Sequence, residues 1–488
     1  MLRTDRPTQR RIHSVLSRRG RTAFGSLLVL VLSVVGLGGP VPIAASARPN
    51  IVLILTDDQR WDELAFMPFV QSQLVNKGIT LSNAFVVNPT CCPSRASILT
   101  GRYSHSTDVY RNKPPHGGYL TFKPQDTSTI ATWLHGAGYQ TALVGKYLNG
   151  YSPAQASYVP PGWSVWRALA LSSRGEGTGG YYNYDTSNNG TLAWHGSAAS
   201  DYSTDVFRDY AVDFIRSVPA TQPLFLYFAP RAPHASATPP ARYATALSGV
   251  PPIRPPSLNE SDMSDKPAWA QTLPLLTSAQ LAGQDHFRKK QLRSLLAVDD
   301  AVQAIVGALS DSGRLANTLI DFTSDNGLLA GEHRWTAKWV PWEESIRVPM
   351  VVRFDAAGWG TPRTESRMVL NIDLAPTFAA AAGVLAPGAE GRSLLPLLNQ
   401  SATTWRTRFL IEHMYDSTKY EVPTYCGIRT TRYLYVAYSG GQEELYDLKL
   451  DPYELKSRAA DPAYLEIKNQ LRHLLIGDCV PTPPGFSF

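Results

Sequence analysis

Three short apolar runs narrow the folds open to this chain: Ile51-Val52-Leu53-Ile54-Leu55, Leu224-Phe225-Leu226-Tyr227-Phe228 and Thr318-Leu319-Ile320-Asp321-Phe322-Thr323. Runs of this length, apolar with little alternation, read as strands buried on both faces, which is the signature of a parallel sheet. Helix-like stretches separate them. Pro68 to Lys77 stops at Gly78, Thr129 to Ala137 stops at Gly138, Asp205 to Val218 is amphipathic, and Gln291 to Leu309 reads as one long helix. Tyr139 to Val144 and Val348 to Phe354 read as two more strands. This alternation predicts an α/β fold, a large and mainly parallel sheet between helices.

Two regions break the pattern. Residues 151–203 are rich in Gly, Ser, Tyr and Asn, and residues 231–285 in Pro, Ala and Ser. Irregular stretches of this length are usually functional loops or disordered segments. After Pro387 the character changes: short runs such as Arg432 to Ala437 precede a final helix from Ala463 to Ile476. The expected organisation is an export segment (1–47), a main domain (48–387) and a smaller α+β subdomain (388–488).

The export reading rests on an Arg-rich start ending at Arg18-Arg19-Gly20-Arg21, an apolar run from Leu27 to Leu37, and Ala45-Ser46-Ala47 as an A-x-A cleavage site. An uncleaved anchor is the alternative; Ser17-Arg18-Arg19 hints at twin-arginine export. The net charge of +6 comes largely from this segment, so it gives no reason to expect a nucleic-acid partner. No later segment is long and apolar enough to span a bilayer, so no stable membrane insertion is expected after cleavage. In an exported protein Cys426 and Cys479 can pair as a disulfide; two separate thiols are the alternative.

Chemistry gathers at the strand ends. Asp57-Asp58 follows the first run and Asp325-Asn326 follows the third, with Ser324 between. Open α/β sheets place ligand sites at the carboxyl ends of their strands. Three carboxylates and an amide oxygen form a hard donor set suited to Ca²⁺ or Mg²⁺. Taken singly, Asp57-Asp58 reads sooner as a helix cap or turn, and Asp325-Asn326-Gly327 as an ordinary turn. No His or Cys cluster has zinc-like spacing.

Between them lies Cys91-Cys92-Pro93-Ser94-Arg95-Ala96-Ser97-Ile98-Leu99-Thr100-Gly101, with Pro93 placed for the first turn of a helix. Cys-x-Pro-Ser-Arg with a trailing Leu-Thr-Gly resembles the signature of the type I sulfatases of the alkaline phosphatase-like superfamily. Thr56-Asp57-Asp58 and Ser324-Asp325-Asn326-Gly327 resemble the two metal-binding segments of that family. The resemblance implies that Cys91 is oxidised by a formylglycine-generating enzyme to Cα-formylglycine (3-oxoalanine). It also implies that Asp57, Asp58, Asp325, Asn326 and residue 91 hold a metal, and that Arg95 holds and polarises the modified side chain. Gly145-Lys146, Pro233-His234 and Lys338, ahead of Glu343 to Pro349, resemble the segments that contact the sulfate group. Cys92, at the variable position of the motif, reads as a small buried thiol.

One departure stands out. Many sulfatases read Gly-Lys-Trp-His, and this chain reads Gly145-Lys146-Tyr147-Leu148-Asn149-Gly150-Tyr151. The residue assisting sulfate release is therefore not placed by position, and His105 and His333 are candidates for it or for substrate contact. Tyr103-x-His105 and Gly145-Lys146-Tyr147-Leu148-Asn149 are similar to the N-acetylglucosamine-6-sulfatase branch and its heparan 6-O-endosulfatase relatives. The expected activity is hydrolysis of sulfated sugars by a secreted or periplasmic enzyme. The alternatives are a phosphonate monoester or phosphodiester hydrolase of the same superfamily, and a non-catalytic sulfoglycan-binding protein.

Overall fold

The computed structural model describes residues 48–171, 179–416 and 421–488. The export segment expected at 1–47 lies outside them. The three apolar runs are neighbours in space. Asn50–Thr56 lies between Thr318–Ser324 and Leu224–Ala229, parallel to both, and Gln140–Gly145 lies parallel on the far side of Leu224–Ala229. Val165–Ala170 continues the parallel array in a ten-stranded sheet. Beyond Thr318–Ser324 runs Met350–Arg353, antiparallel to it, then Ile79–Leu81 and Arg363–Glu365.

Burial explains why these strands are apolar throughout. Ile51, Leu53 and Leu55 point into one core with Phe225 and Tyr227, while Val52 and Ile54 point into another with Leu226 and Phe228. Side chains alternate between faces, and here each face is covered. The first face carries Cys91–Thr100, Ile130–Gly136 and Leu374–Ala381; the second carries Ser203–Ser217 and Ser278–Asp311. Three short strands, Arg347–Val348, Ala84–Phe85 and Val369–Leu370, form a small sheet. A four-stranded antiparallel sheet (Arg408–His413, Tyr425–Thr430, Tyr433–Tyr438, Glu443–Asp447) packs against the closing helix Leu465–Asp478. Cys426 and Cys479 are joined by a disulfide between that sheet and the end of the helix. Among the described residues no helix is long and apolar enough to cross a membrane.

The structure departs from the sequence reading in three places. Residues 151–203 are not simply irregular: Tyr184–Asn188 and Thr191–His195 form a hairpin that ends the main sheet. Its turn is Asn189-Gly190, both at positive φ, a hairpin signal hidden by the polar composition around it. The long helix begins at Ser278, inside the region read as irregular, with Thr277 capping the backbone of Gln280. Its first turns are polar, and its buried residues start only at Arg288. The expected strand from Val348 to Phe354 is cut at Pro349 into pieces that join different sheets, because proline brings no N–H to a ladder.

Candidate active site

Four adjacent parallel strands each deliver charged or polar side chains at their carboxyl ends. The register Thr56↔Ser324 brings Asp57 and Asp58 beside Asp325 and Asn326. Asp58 N–H donates to Asp325 Oδ1 (3.2 Å), and Asn326 Nδ2 donates to Asp58 Oδ1 (2.6 Å). Asp58 itself is held at φ 68°, a left-handed turn that directs the chain back across the strand ends. His234 follows the strand Leu224–Ala229, with its Nε2 3.7 Å from Asp58 Oδ2. Lys146 follows Gln140–Gly145 and pairs with Asp57. Gly145 makes that approach possible: its φ is +114°, and a Cβ there would lie 2.1 Å from the Ala229 carbonyl oxygen.

The helix Cys91–Thr100 enters over these ends. Thr90 is extended and Cys91 opens the first turn, so Arg95, four residues on, shares its face. Cys91 Sγ lies 3.4 Å from Asp57 Oδ1 and 3.9 Å from Asp58 Oδ1. The Arg95 guanidinium is fully buried. It donates to Asp325 Oδ2 (2.7 Å) and to the Lys146 carbonyl (2.9 Å), with Asp57 Oδ2 3.7 Å away. Lys338 arrives from the loop after Asn326, pairs with Asp58, and brings its Nζ to 2.6 Å from Cys91 Sγ and 3.4 Å from Asn326 Oδ1. Asp58, His234 and Lys338 line a cavity of about 510 Å³ together with Asn112, Asn149 and His413.

Charge is nearly balanced: three carboxylates face Arg95, Lys146 and Lys338. Burial alone would raise Asp57, but Lys146, Arg95 and Lys338 overturn it and hold the carboxyl well below its usual range. Asp325 is raised, first by burial and then by Asp57 beside it. Burial pushes the Cys91 thiol up to about 12 despite Lys146 and Lys338, so the unmodified side chain is a neutral, weak nucleophile at pH 7. Burial and the Arg231 guanidinium keep the His234 imidazole well below its ordinary value, hence neutral.

The structure thus brings together Asp57, Asp58, Cys91, Arg95, Lys146, His234, Asp325, Asn326 and Lys338. It takes the other two histidines elsewhere. His105 Nδ1 lies 3.0 Å from Glu412 Oε1 and its Nε2 3.6 Å from Glu390. His333 is fully buried, with Nδ1 2.6 Å from Glu260 Oε2. Asn149, Trp339 and His413 are among the lining residues that escaped sequence reading. Asn149 sits inside a quoted segment and Trp339 directly follows Lys338, so both were within reach of it; His413 reaches the cavity from the C-terminal sheet, with no local motif to mark it.

Over residues 49–384 the sequence matches the Sulfatase family, and over residues 331–478 the C-terminal N-sulphoglucosamine sulphohydrolase family. The chain belongs to the sulfatase family. It is a sulfuric ester hydrolase with the alkaline phosphatase-like fold. This sulfatase is 36% identical to human (Homo sapiens) N-acetylglucosamine-6-sulfatase over 417 residues, covering 82% of this chain and 73% of the human one. It is 35% identical to the Drosophila melanogaster extracellular sulfatase SULF-1 homolog, over 76% of this chain and 33% of that protein. Among solved structures, BT4656 in complex with its substrate D-glucosamine-2-N,6-O-disulfate superposes with a TM-score of 0.77 at 26% identity, over 88% of this chain and 97% of that one. A phosphonate monoester hydrolase of Agrobacterium radiobacter shares the fold, with a TM-score of 0.69 at 21% identity over 88% of this chain and 95% of that one.

Proposed function

We propose that this sulfatase hydrolyses sulfate esters of sugars resembling N-acetylglucosamine-6-sulfate, as an exported enzyme, with residue 91 in its formylglycine form and a divalent cation, Ca²⁺ or else Mg²⁺, at the strand ends. The observation that carries the reading is the meeting of Cys91, three carboxylates and three cationic side chains in one buried cluster, whose Asp58 and Lys338 also line a sugar-sized cavity. The donor set fits the cation. Asp57, Asp58 and Asp325 place carboxylate oxygens within 4.8 Å of one another and of Cys91 Sγ, and Asn326 adds an amide oxygen. A soft thiolate is a poor companion for such an ion, and the neutral thiol is a poor nucleophile, so both points support a working residue 91 that is no longer a thiol. When present, the cation supplies Lewis-acid stabilisation and the oxidised side chain supplies an oxygen nucleophile.

This chain's own residues do the rest. Arg95 anchors Asp325 and the Lys146 carbonyl, and so fixes the helix that carries residue 91 against the strand ends. Lys146 and Lys338 present positive charge on two sides of residue 91, where a sulfate group is attracted and its developing charge stabilised. His234 is a quarter exposed to the cavity and ready to exchange a proton with the ester oxygen. Asn112, Asn149, Trp339 and His413 offer hydrogen bonds and a stacking face to a sugar ring. The partner required for maturation is a formylglycine-generating enzyme.

Mass spectrometry of the peptide containing residue 91, taken from active protein, tests the nucleophile. The expected mass is that of 3-oxoalanine, and Cys91→Ala is expected to lose at least about 10³-fold in kcat. An intact thiol in fully active protein sinks the mechanism. Turnover of N-acetylglucosamine-6-sulfate no faster than that of an aryl phosphate sinks the substrate reading.

A further inference from the structure

A second group of metal-competent side chains lies apart from the strand ends. His333, Glu344 and Glu454 each place one ligating atom within 4.8 Å of the others. They come from three segments: the loop after Asn326, the short helix Glu343–Ile346, and the turn after the last strand. The polar bookkeeping here does not close. His333 Nε2, Glu344 Oε2 and Glu454 Oε1 are all buried and have no hydrogen-bond partner. His333 is 0% exposed and Glu454 1%. Buried polar atoms without partners are costly, and three converging at one point call for a ligand.

The surroundings are arranged as they would be around a bound ion. His333 Nδ1–H donates to Glu260 Oε2 (2.6 Å), which fixes the tautomer and leaves the Nε2 lone pair facing the group. Glu260 in turn lies 3.4 Å from Lys266 Nζ. Glu454 uses its other oxygen to accept the Glu343 N–H (3.0 Å), which fixes its carboxylate. Burial keeps the His333 imidazole neutral, as a ligand must be. Burial and Glu332 raise Glu344 to about 8, more than the nearby Arg60 offsets, the cost of placing buried acids together. Glu332 itself is committed to Arg60 and to the Ala330 N–H. A cleft of about 300 Å³ bounded by Arg60, Trp61, Glu332 and Tyr453 reaches Glu344 from the surface and provides an entry path.

We propose that His333 Nε2, Glu344 and Glu454 form a second divalent-cation site, selective for an ion of the zinc or manganese class. One imidazole and two carboxylates suit such ions, whereas the oxygen-only set at the strand ends suits Ca²⁺. Bonds of about 2.0–2.2 Å require only small side-chain rotations from the observed spacing. The ion ties the loop that carries Lys338 to the C-terminal turn, making His333 a positioning residue rather than a catalytic one.

Metal counting on the full chain, purified without a histidine tag, tests this site. Protein stripped with a chelator is re-equilibrated with Ca²⁺ and Zn²⁺, or Ca²⁺ and Mn²⁺, and measured by inductively coupled plasma mass spectrometry. The wild type is expected to carry about one equivalent of Zn²⁺ or Mn²⁺ that His333→Gln and Glu344→Gln each lose. Asp325→Asn is expected to keep that equivalent, which separates this site from the one at the strand ends. Zinc and manganese both absent from the wild type mean a hydrogen-bonded acid group and overturn the proposal. So does a transition-metal equivalent that Glu344→Gln retains. Glu344 is only partly buried, so its glutamine variant keeps the test decisive if His333→Gln does not fold.

Discussion

At the scale of the residue, Arg95 ties the helix that carries Cys91 to two of the strand ends. It is fully buried, bonded to Asp325 and to the Lys146 carbonyl, and near Asp57. Burial would depress its guanidinium, but Asp325 and Asp57 hold it charged. Removing one member of such a pair leaves an uncompensated buried charge. Arg95→Met is therefore expected to lower unfolding free energy by roughly 3–5 kcal/mol, read from urea titrations. A midpoint close to wild type would mean that Lys146 and Lys338 suffice for the three carboxylates. The residues of this centre were largely legible in the sequence. Asp57, Asp58, Asp325 and Asn326 follow recognisable apolar strands, and Cys91 and Arg95 lie in one compact string. His413 was not legible, because it enters through the partner strands of a separate sheet rather than through its neighbours in the chain.

At the scale of the element, the turn Ser104–Thr107 is fastened to the strand Arg408–His413 by His105, which stacks on Tyr103 and faces Glu412 and Glu390. Burial alone would lower the imidazole, yet the two carboxylates push it up to about 9. A raised histidine stabilises the fold fully below its ordinary value of about 6.5, and that contribution is lost as pH rises through about 9. Melting temperature is expected to decline across this window, and His105→Gln is expected to flatten the decline. Parallel curves for variant and wild type would remove His105 as the cause. Elements whose burial pattern is continuous, such as Asn50–Thr56 and Leu224–Ala229, were readable from composition alone. The polar opening of the helix Ser278–Asp311 and the hairpin around Asn189-Gly190 were not, because exposed faces carry no apolar period and only capping or turn chemistry marks them.

At the scale of the whole molecule, the C-terminal sheet closes the cavity, and the Cys426–Cys479 disulfide holds that sheet to the last helix across a sequence separation of 53. Chain-entropy reasoning for a loop of that size gives about 4 kcal/mol. The double variant Cys426→Ser/Cys479→Ser is expected to unfold about 2–4 kcal/mol more easily in denaturant titrations, while its folded fraction keeps a normal charge cluster at the strand ends. An unchanged midpoint would show that the helix packs as firmly without the bond. The burial of Cys91 carries a consequence in time. Only 1% of its surface is exposed in the folded chain, and Lys338, which lies against it, comes 247 residues later. At about 5–20 residues per second of synthesis, roughly 10–50 s separate the two, and the side of the enclosure that Lys338 forms is missing until then. On the proposed formylglycine reading, an enzyme that oxidises this cysteine would work against a clock set by the ribosome: its window would open when Cys91 emerges and end as the chain folds.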